Sequence, residues 1–225
     1  MDKKIKILPF SSDIKTLSIN IYFLILGYIG LFIYQWFLKS GCDTRFIDMM
    51  LPMFTVFCMG IIILIIPLFS NLVNPMANEL ILSLPLGGIG YVLIRVVRII
   101  LIYILLTFTI YSIIYFTTNK KNFLGHFVDI KLICSSFIFL AGFGLLVMLI
   151  GRNPIYAYTS TIFLFVFSYF FRGSGLMYWH VCQWIQPKPN FSAIWKLEYT
   201  MFISGVICFI LSSIFIKNKN YLLKS

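Results

Sequence analysis

The sequence predicts an all-α membrane protein with six transmembrane helices. Of its 225 residues, 60% are hydrophobic and only 11% are charged, whereas soluble domains are nearer half apolar and about a quarter charged. The mean hydropathy is +0.97. Apolar runs of about 20 residues, the length that a spanning helix needs, recur along the chain.

Six segments are apolar enough to be candidate spans. The third is long enough to begin among the lipid headgroups, and the fifth is the shortest. Helices of this kind satisfy their own backbone hydrogen bonds, as the bilayer demands. Neither an internal repeat nor a linker is visible, so we expect a single domain over residues 1–225. The predicted spans are Leu17–Leu38, Met49–Ser70, Tyr91–Phe116, Leu132–Ile150, Tyr156–Phe171 and Thr200–Ile216.

The two tails predict the orientation of the chain. Residues 1–16 are rich in lysine and predict a short basic helix lying on the inner membrane surface. The first apolar run is too long for a signal peptide and no small-residue cleavage site follows it, so we expect it to be retained. Six spans place both tails on one side. Their lysines indicate that both termini are cytoplasmic.

The net charge of +11 predicts contact with anionic lipid, not with nucleic acid, because the basic residues lie mainly between and outside the apolar runs. The five cysteines show no CxxC spacing. Cys58, Cys134 and Cys208 fall inside predicted spans, where cysteine usually serves as a small apolar residue. Cys42 and Cys182 fall in predicted external loops, and the sequence leaves open whether they form a disulfide.

The segment between the second and third spans has the pattern of a short amphipathic helix over residues 74–86. Asn74 can cap its start, and Pro75 suits the first helical position. Glu79 lies near that start, where a carboxylate is favoured, and Pro85 ends the helix. Four residues share one apolar face by their spacing: Met76, Leu80, Ile81 and Leu84.

Arg95 and Arg98 follow this segment and mark the headgroup level of the third span. They are three residues apart and are therefore expected to share a helix face. The segment before them has two interpretations. It is either a loop helix resting on lipid or a helix that docks into a groove of a cytoplasmic partner.

The order of these parts resembles the permease subunit of ABC exporters of the ABC-2 type. That family has six spans, a basic amphipathic N-terminal helix, a cytoplasmic coupling helix between spans two and three, and two short external helices before span six. Its local pattern is an acidic residue, an apolar stretch, Leu-Pro and a basic residue opening span three. Here these are Glu79, Leu80–Leu84, Pro85 and Arg95. The chain departs from the family at Gly87–Gly88, where a small residue followed by arginine is common.

The resemblance implies a complex in the bacterial cell membrane. Two permeases, either two copies of this chain or this chain and a paralogue, would pair around the cargo path. Two cytoplasmic ABC ATPase subunits would bind below them and hold ATP and Mg. This chain has no GxxxxGK[ST] phosphate loop, so it is expected to bind no cofactor itself. The coupling residues would be Met76, Glu79, Leu80, Ile81, Leu84 and Pro85.

The cargo implied by the resemblance is hydrophobic or amphipathic. A peptide toxin or antimicrobial peptide is favoured, because the Lys, Asn, Ile and Phe bias suggests a low-GC Gram-positive bacterium. Small permeases there resemble bacteriocin or phenol-soluble-modulin exporters. The identity of the cargo, the direction of transport and the choice between homodimer and heterodimer stay open.

Residues 173–199 form the longest interruption between apolar runs. Their aromatic residues suit the membrane interface, and Pro187 and Pro189 would divide them into short interfacial or re-entrant helices. Trp179, Trp184 and Glu198 are candidates for the external mouth of a transport path. For Glu198, a charge at headgroup level is the alternative.

Two other classes of function remain as alternatives. Ser174 and His180 are six residues apart and would suit an intramembrane enzyme, although no third group is obvious. No HExxH motif or Cys/His cluster is present, so no metal site is predicted. No catalytic residue is assigned either. The predicted spans hold almost no acidic residue, which disfavours a transporter driven by protons or sodium. A non-catalytic scaffold or channel is the other alternative.

Overall fold

The computed structural model describes residues 10–40, 46–70, 73, 88–118, 123–170 and 191–217. All six regular elements in this part of the chain are α-helices, which confirms the all-α prediction. They are α1 (Phe10–Ser40), α2 (Phe46–Ser70), α3 (Gly88–Thr118), α4 (Phe123–Gly151), α5 (Pro154–Phe170) and α6 (Phe191–Lys217).

Four of these helices contain stretches long and apolar enough to cross a membrane, so the chain is a membrane protein by length and composition. The stretches are Met53–Ser70, Ile94–Ile113, Lys131–Gly151 and Glu198–Ile216. Two shorter apolar helical stretches are Ile19–Tyr34, which lies within the first predicted span, and Pro154–Ser168, which overlaps the fifth and begins two residues before it. Six complete spans therefore stay a prediction.

Contacts between the first three helices show that successive helices reverse direction. The rings of Tyr28 on α1 and Phe57 on α2 lie 5.8 Å apart, and the earlier Leu24 of α1 lies against the later Gly60 of α2. The hydroxyl of Tyr103 on α3 donates to the carbonyl of Phe57, and Arg95 on α3 donates to Leu68 on α2. A later residue of α2 thus meets an earlier residue of α3, as antiparallel helices require.

The second half of the bundle continues this alternation. The Tyr103 and Phe137 rings, 5.0 Å apart, join α3 to α4, and a Cβ added at Gly144 on α4 would lie 3.2 Å from Thr161 on α5. The turn between α4 and α5 has two residues, and Arg152 there has a left-handed φ of 50°. Such a residue commonly ends a helix.

Helices α4 and α6 run parallel, as expected for two helices separated by two reversals of the chain. Ser136 on α4 contacts Met201 on α6 through a 3.6 Å hydrogen bond to sulfur. One to two turns further along both helices, Gly142 meets Gly205. The starts of α1, α3 and α5 and the ends of α2, α4 and α6 therefore lie together. We call this the Arg95 end and the opposite one the Lys131 end.

Helices α2 and α4 form the centre of the bundle. Within their apolar stretches 67% of the residues are buried, against 33% in α3 and α6. The outer surface is apolar, with large exposed side chains along α1, α3 and α6 such as Phe23, Leu105 and Phe202. An apolar exterior around a buried core suits a bundle surrounded by lipid.

Candidate functional site

The first candidate site is the joint between the end of α2 and the start of α3. Arg95 lies two turns into α3 and is 6% exposed. Its Nη1 donates a long hydrogen bond of 3.4 Å to the backbone oxygen of Leu68. Its Cζ lies 5.9 Å from the centre of the Phe69 ring, within the range of a cation–π interaction. We call these three residues the Arg95 joint.

The electrostatics of the Arg95 joint follow from its place at a helix C-terminus. The last carbonyl groups of a helix have no partner within it and carry the negative end of the helix dipole. A buried guanidinium placed against them gains charge-assisted contacts that offset part of its loss of water. Arg98, one turn further along α3, is half-buried. Arg95 is thus buried against the end of α2, although it lies at the start of the predicted third span.

The end of α2 has its own local stabilisation. The Ser70 hydroxyl donates to the carbonyl of Pro67 at 2.8 Å, and the amide of Val73 donates to the carbonyl of Ser70 at 3.1 Å. These bonds satisfy carbonyl groups that the terminating helix leaves without an amide. Val73 is therefore held against the end of α2, close to the residues that Arg95 contacts.

The residues predicted to couple to an ATPase lie outside the described residues: Met76, Glu79, Leu80, Ile81, Leu84 and Pro85. The same holds for Trp179 and Trp184 of the predicted external mouth and for Ser174 and His180 of the enzyme alternative. All of these stay predictions. The structure does place the two helix ends that flank the predicted coupling segment, Ser70 and Gly88, at the Arg95 end.

Glu198 lies at the opposite end of the bundle. It is half-buried at the start of the apolar stretch of α6 and near the thiol of Cys134 on α4. Lys131 and Lys196, both exposed, lie at the same end. Glu198 is thus separated from Arg95 by the length of the bundle, and the two do not form one site.

A second polar site lies in the middle of the bundle, and sequence reasoning missed it. The buried hydroxyl of Tyr103 donates to the carbonyl of Phe57 at 2.8 Å. Thr107 donates to the carbonyl of Tyr103 at 2.7 Å, and the hydroxyl of Tyr28 lies beside them both. The spacing of Tyr103 and Thr107 puts them on one face of α3, but tyrosine is so common here that this gave no distinct signal.

A small cavity of about 10 Å³ lies between α3 and α4, which is about the space that one water molecule occupies. Its walls are almost wholly apolar. It adjoins the second polar site only through Thr107 and is too small for a cargo molecule. Its lining residues are Ile104, Thr107, Phe108, Tyr111, Ile133, Cys134 and Phe137.

Within the described ranges, His, Cys, Asp and Glu side chains do not gather in groups of three or more that could hold a metal ion. Fold and site together define a helical membrane protein with two buried polar sites in the described part of the chain. No protein-family model, curated protein or solved structure matches the chain.

Proposed function

We propose that the chain is the membrane-spanning subunit of an ATP-driven exporter, similar to the ABC-2 permeases. It would cross the bacterial cell membrane six times, pair with a second permease and couple to a separate cytoplasmic ATPase. The observation that carries this proposal is the Arg95 joint. This joint holds the end of α2 to the start of α3. Because the amphipathic segment Asn74–Pro85 connects these two helices, a displacement of the segment would move both helices.

The distribution of charge supports a cytoplasmic position for that segment. Lys15, Arg95, Arg98 and Arg152 all belong to the Arg95 end. Basic residues that flank spans favour the cytoplasmic side. An ATPase that meets the segment from the cytoplasm would therefore approach the end of the bundle where α2 and α3 are joined.

A second observation supports the helix expected after Asn74. Asn153 and Pro154 repeat the Asn-Pro pair of Asn74 and Pro75. At the start of α5, the Asn153 Oδ1 accepts a hydrogen bond from the amide of Ile155 at 2.9 Å, and Pro154 is the first helical residue. The same dipeptide thus caps a helix in the described part of the chain, by the mechanism proposed for residue 74.

The packing of α2 would transmit a displacement of the amphipathic segment to the other helices. Helix α2 contacts α1, α3, α4 and α5, and it carries Pro67 three residues before its end. Proline removes a backbone hydrogen bond inside a helix and favours bending. ATP binding would close the partner subunits and displace the amphipathic segment. The end of α2 would then move with α3, and the central helices would shift with them.

The proposed cargo is hydrophobic or amphipathic, with a peptide toxin or antimicrobial peptide as the favoured class. The cavity between α3 and α4 is too small for a cargo molecule, and in this proposal the path forms against the second permease. The apolar exterior of α1, α3 and α6 suits an interface with lipid or with such a partner.

The experiment is to compare Leu80→Lys with Asn78→Lys in the complex purified from its native membrane. By helical spacing, residue 80 lies on the apolar face of the segment and residue 78 on the opposite face. Both variants add the same charge. Loss of a soluble P-loop ATPase from Leu80→Lys alone is the expected result. Equal retention of an ATPase by both variants would contradict docking through this face.

A further inference from the structure

Directional contacts tie α1, α2 and α3 to one another, and we call these three helices the N-terminal half. The Tyr103 hydroxyl donates to the Phe57 carbonyl at 2.8 Å. Arg95 donates to the Leu68 carbonyl further along the same two helices. A Cβ at Gly60 on α2 would collide with the Tyr103 hydroxyl and would lie 3.2 Å from a leucine side chain of α1. The three helices therefore meet closely at this glycine.

A second set of close contacts lies within α4, α5 and α6, which we call the C-terminal half. The backbones of α4 and α6 approach too closely at Gly142 and Gly205 to accommodate a side chain. The Ser136 hydroxyl of α4 donates to the Met201 sulfur of α6 at 3.6 Å. On α4, a Cβ added at Gly144 would lie 3.2 Å from a threonine side chain of α5. Close backbone approaches thus hold this half together.

Ring contacts join the two halves. The ring of Tyr103 on α3 lies 5.0 Å from that of Phe137 on α4, and the ring of Phe54 on α2 lies 6.2 Å from that of Phe165 on α5. Tyr103 therefore gives its hydroxyl to the N-terminal half and its ring to the C-terminal half. The small cavity between α3 and α4 lies on the same boundary, so packing there is incomplete.

These two kinds of contact respond differently to movement. A hydrogen bond weakens steeply when its geometry is distorted, and closely packed backbones clash when they shift. Apolar contacts are non-directional, so one can replace another during a small displacement. We propose that the N-terminal and C-terminal halves are two rigid bodies that slide along the apolar boundary between them, by the shear motion that packed helices allow. This sliding does not depend on the exporter function. Within that function, the amphipathic segment would move the N-terminal half as a unit.

Distances between pairs of spin labels test this division in the full chain, without any ATPase. The labels replace exposed residues of α1, α3, α5 and α6, in a chain whose own cysteines are replaced: Ile29, Leu105, Phe163 and Phe202. The α1–α3 and α5–α6 pairs lie within the halves, whereas the α1–α6 and α3–α5 pairs join them. Each site serves once in each class, so the mobility of the labels cancels. Distance distributions between the halves should be wider by about 1–2 Å, the scale of helix shifts in packed proteins. Equal widths in the two classes would overturn the proposal.

Two substitutions test whether each half responds by itself. Tyr103→Phe removes the hydrogen bond to α2 but keeps the ring, so it should broaden the α1–α3 distribution alone. Gly142→Ala forces α4 and α6 apart, so it should shift the α5–α6 distance alone. Tyr22→Phe removes an exposed hydroxyl from α1 and, as the control, should change neither. If either substitution altered the pair in the opposite half as much as the pair in its own half, the halves would not be separate bodies.

Discussion

Gly142 on α4 and Gly205 on α6 bring the backbones of the two helices into direct contact. A Cβ added at Gly142 would lie 2.6 Å from the carbonyl oxygen of Gly205, and one added at Gly205 would lie 2.8 Å from the backbone of Ile138. Small residues permit this close approach between helices in a membrane, where dispersion contacts replace the hydrophobic effect as the source of association. The pair therefore lies where the backbones of α4 and α6 are too close to accommodate a side chain.

Gly142→Ala should destabilise the bundle by about 1–3 kcal/mol, the usual cost of overpacking a well-packed core. Gly30→Ala is the matched control, because a Cβ there meets nothing within 4 Å and alanine favours a helix over glycine. Gly30→Ala should leave the melting temperature unchanged or raise it. Equal melting temperatures for the two variants in the same detergent would contradict the close crossing.

Arg95→Gln should lower stability by about 1–3 kcal/mol, because the Leu68 carbonyl would lose a charged donor at the end of α2. Arg95→Lys keeps the charge but has no planar guanidinium to lie over Phe69. Its stability should therefore lie between that of Arg95→Gln and that of the native protein. Melting temperatures of the three proteins check this order. If Arg95→Gln were as stable as the native protein, the joint would contribute nothing.

Asn153→Ala should destabilise the start of α5 by about 0.5–2 kcal/mol through loss of the cap on the Ile155 amide. Asn153→Asp and Asn153→Ser keep a hydrogen-bond acceptor at the same position, so they should retain most of the stability that Asn153→Ala loses. Melting curves of the three variants distinguish loss of the cap from a general sensitivity of this turn. Failure of both Asp and Ser to restore stability would contradict the capping role.

The alternation of the helices predicts which positions share a side of the membrane. Single cysteines at Lys15 and Asn153 should react with a membrane-impermeant thiol reagent from one side. Cysteines at Lys131 and Lys196 should react from the other, in a chain whose own cysteines are replaced. Labelling of whole cells and of inverted vesicles measures this directly. Lys15 and Lys131 positions that label from the same side would contradict the topology.

The apolar core of each helix could be predicted from the apolar runs alone, but two helix starts could not: α4 begins at Phe123 and α6 at Phe191, each nine residues before the predicted span, and the start of α6 lies inside the predicted interruption 173–199. The second predicted span ends at Ser70, where α2 ends. The third, Tyr91–Phe116, lies within α3, which extends two to three residues further at each end. Apolar periodicity and length carry this information because lipid requires both. The helices are longer than the runs because polar residues continue them beyond the apolar stretch.

The partners of individual side chains could not be predicted. Hydropathy does not separate residues that face lipid from those that face protein, so Arg95 was expected at headgroup level and its burial against α2 was not foreseen. The Tyr103 hydroxyl meets a carbonyl 46 residues away, and no local pattern encodes that distance. Gly142 and Gly205 are visible as small residues within spans, but only the packing of α4 on α6 pairs them.

The most direct test of the proposed function is to purify the tagged chain from its native membrane in several mild detergents. The proteins that co-purify with it are then identified by mass spectrometry. A soluble subunit with a P-loop ATPase, present in an amount equal to the chain, is the expected result. Addition of ATP and Mg should then give hydrolysis that depends on the complex. Purification of the intact chain without any ATPase in every detergent would contradict the exporter function.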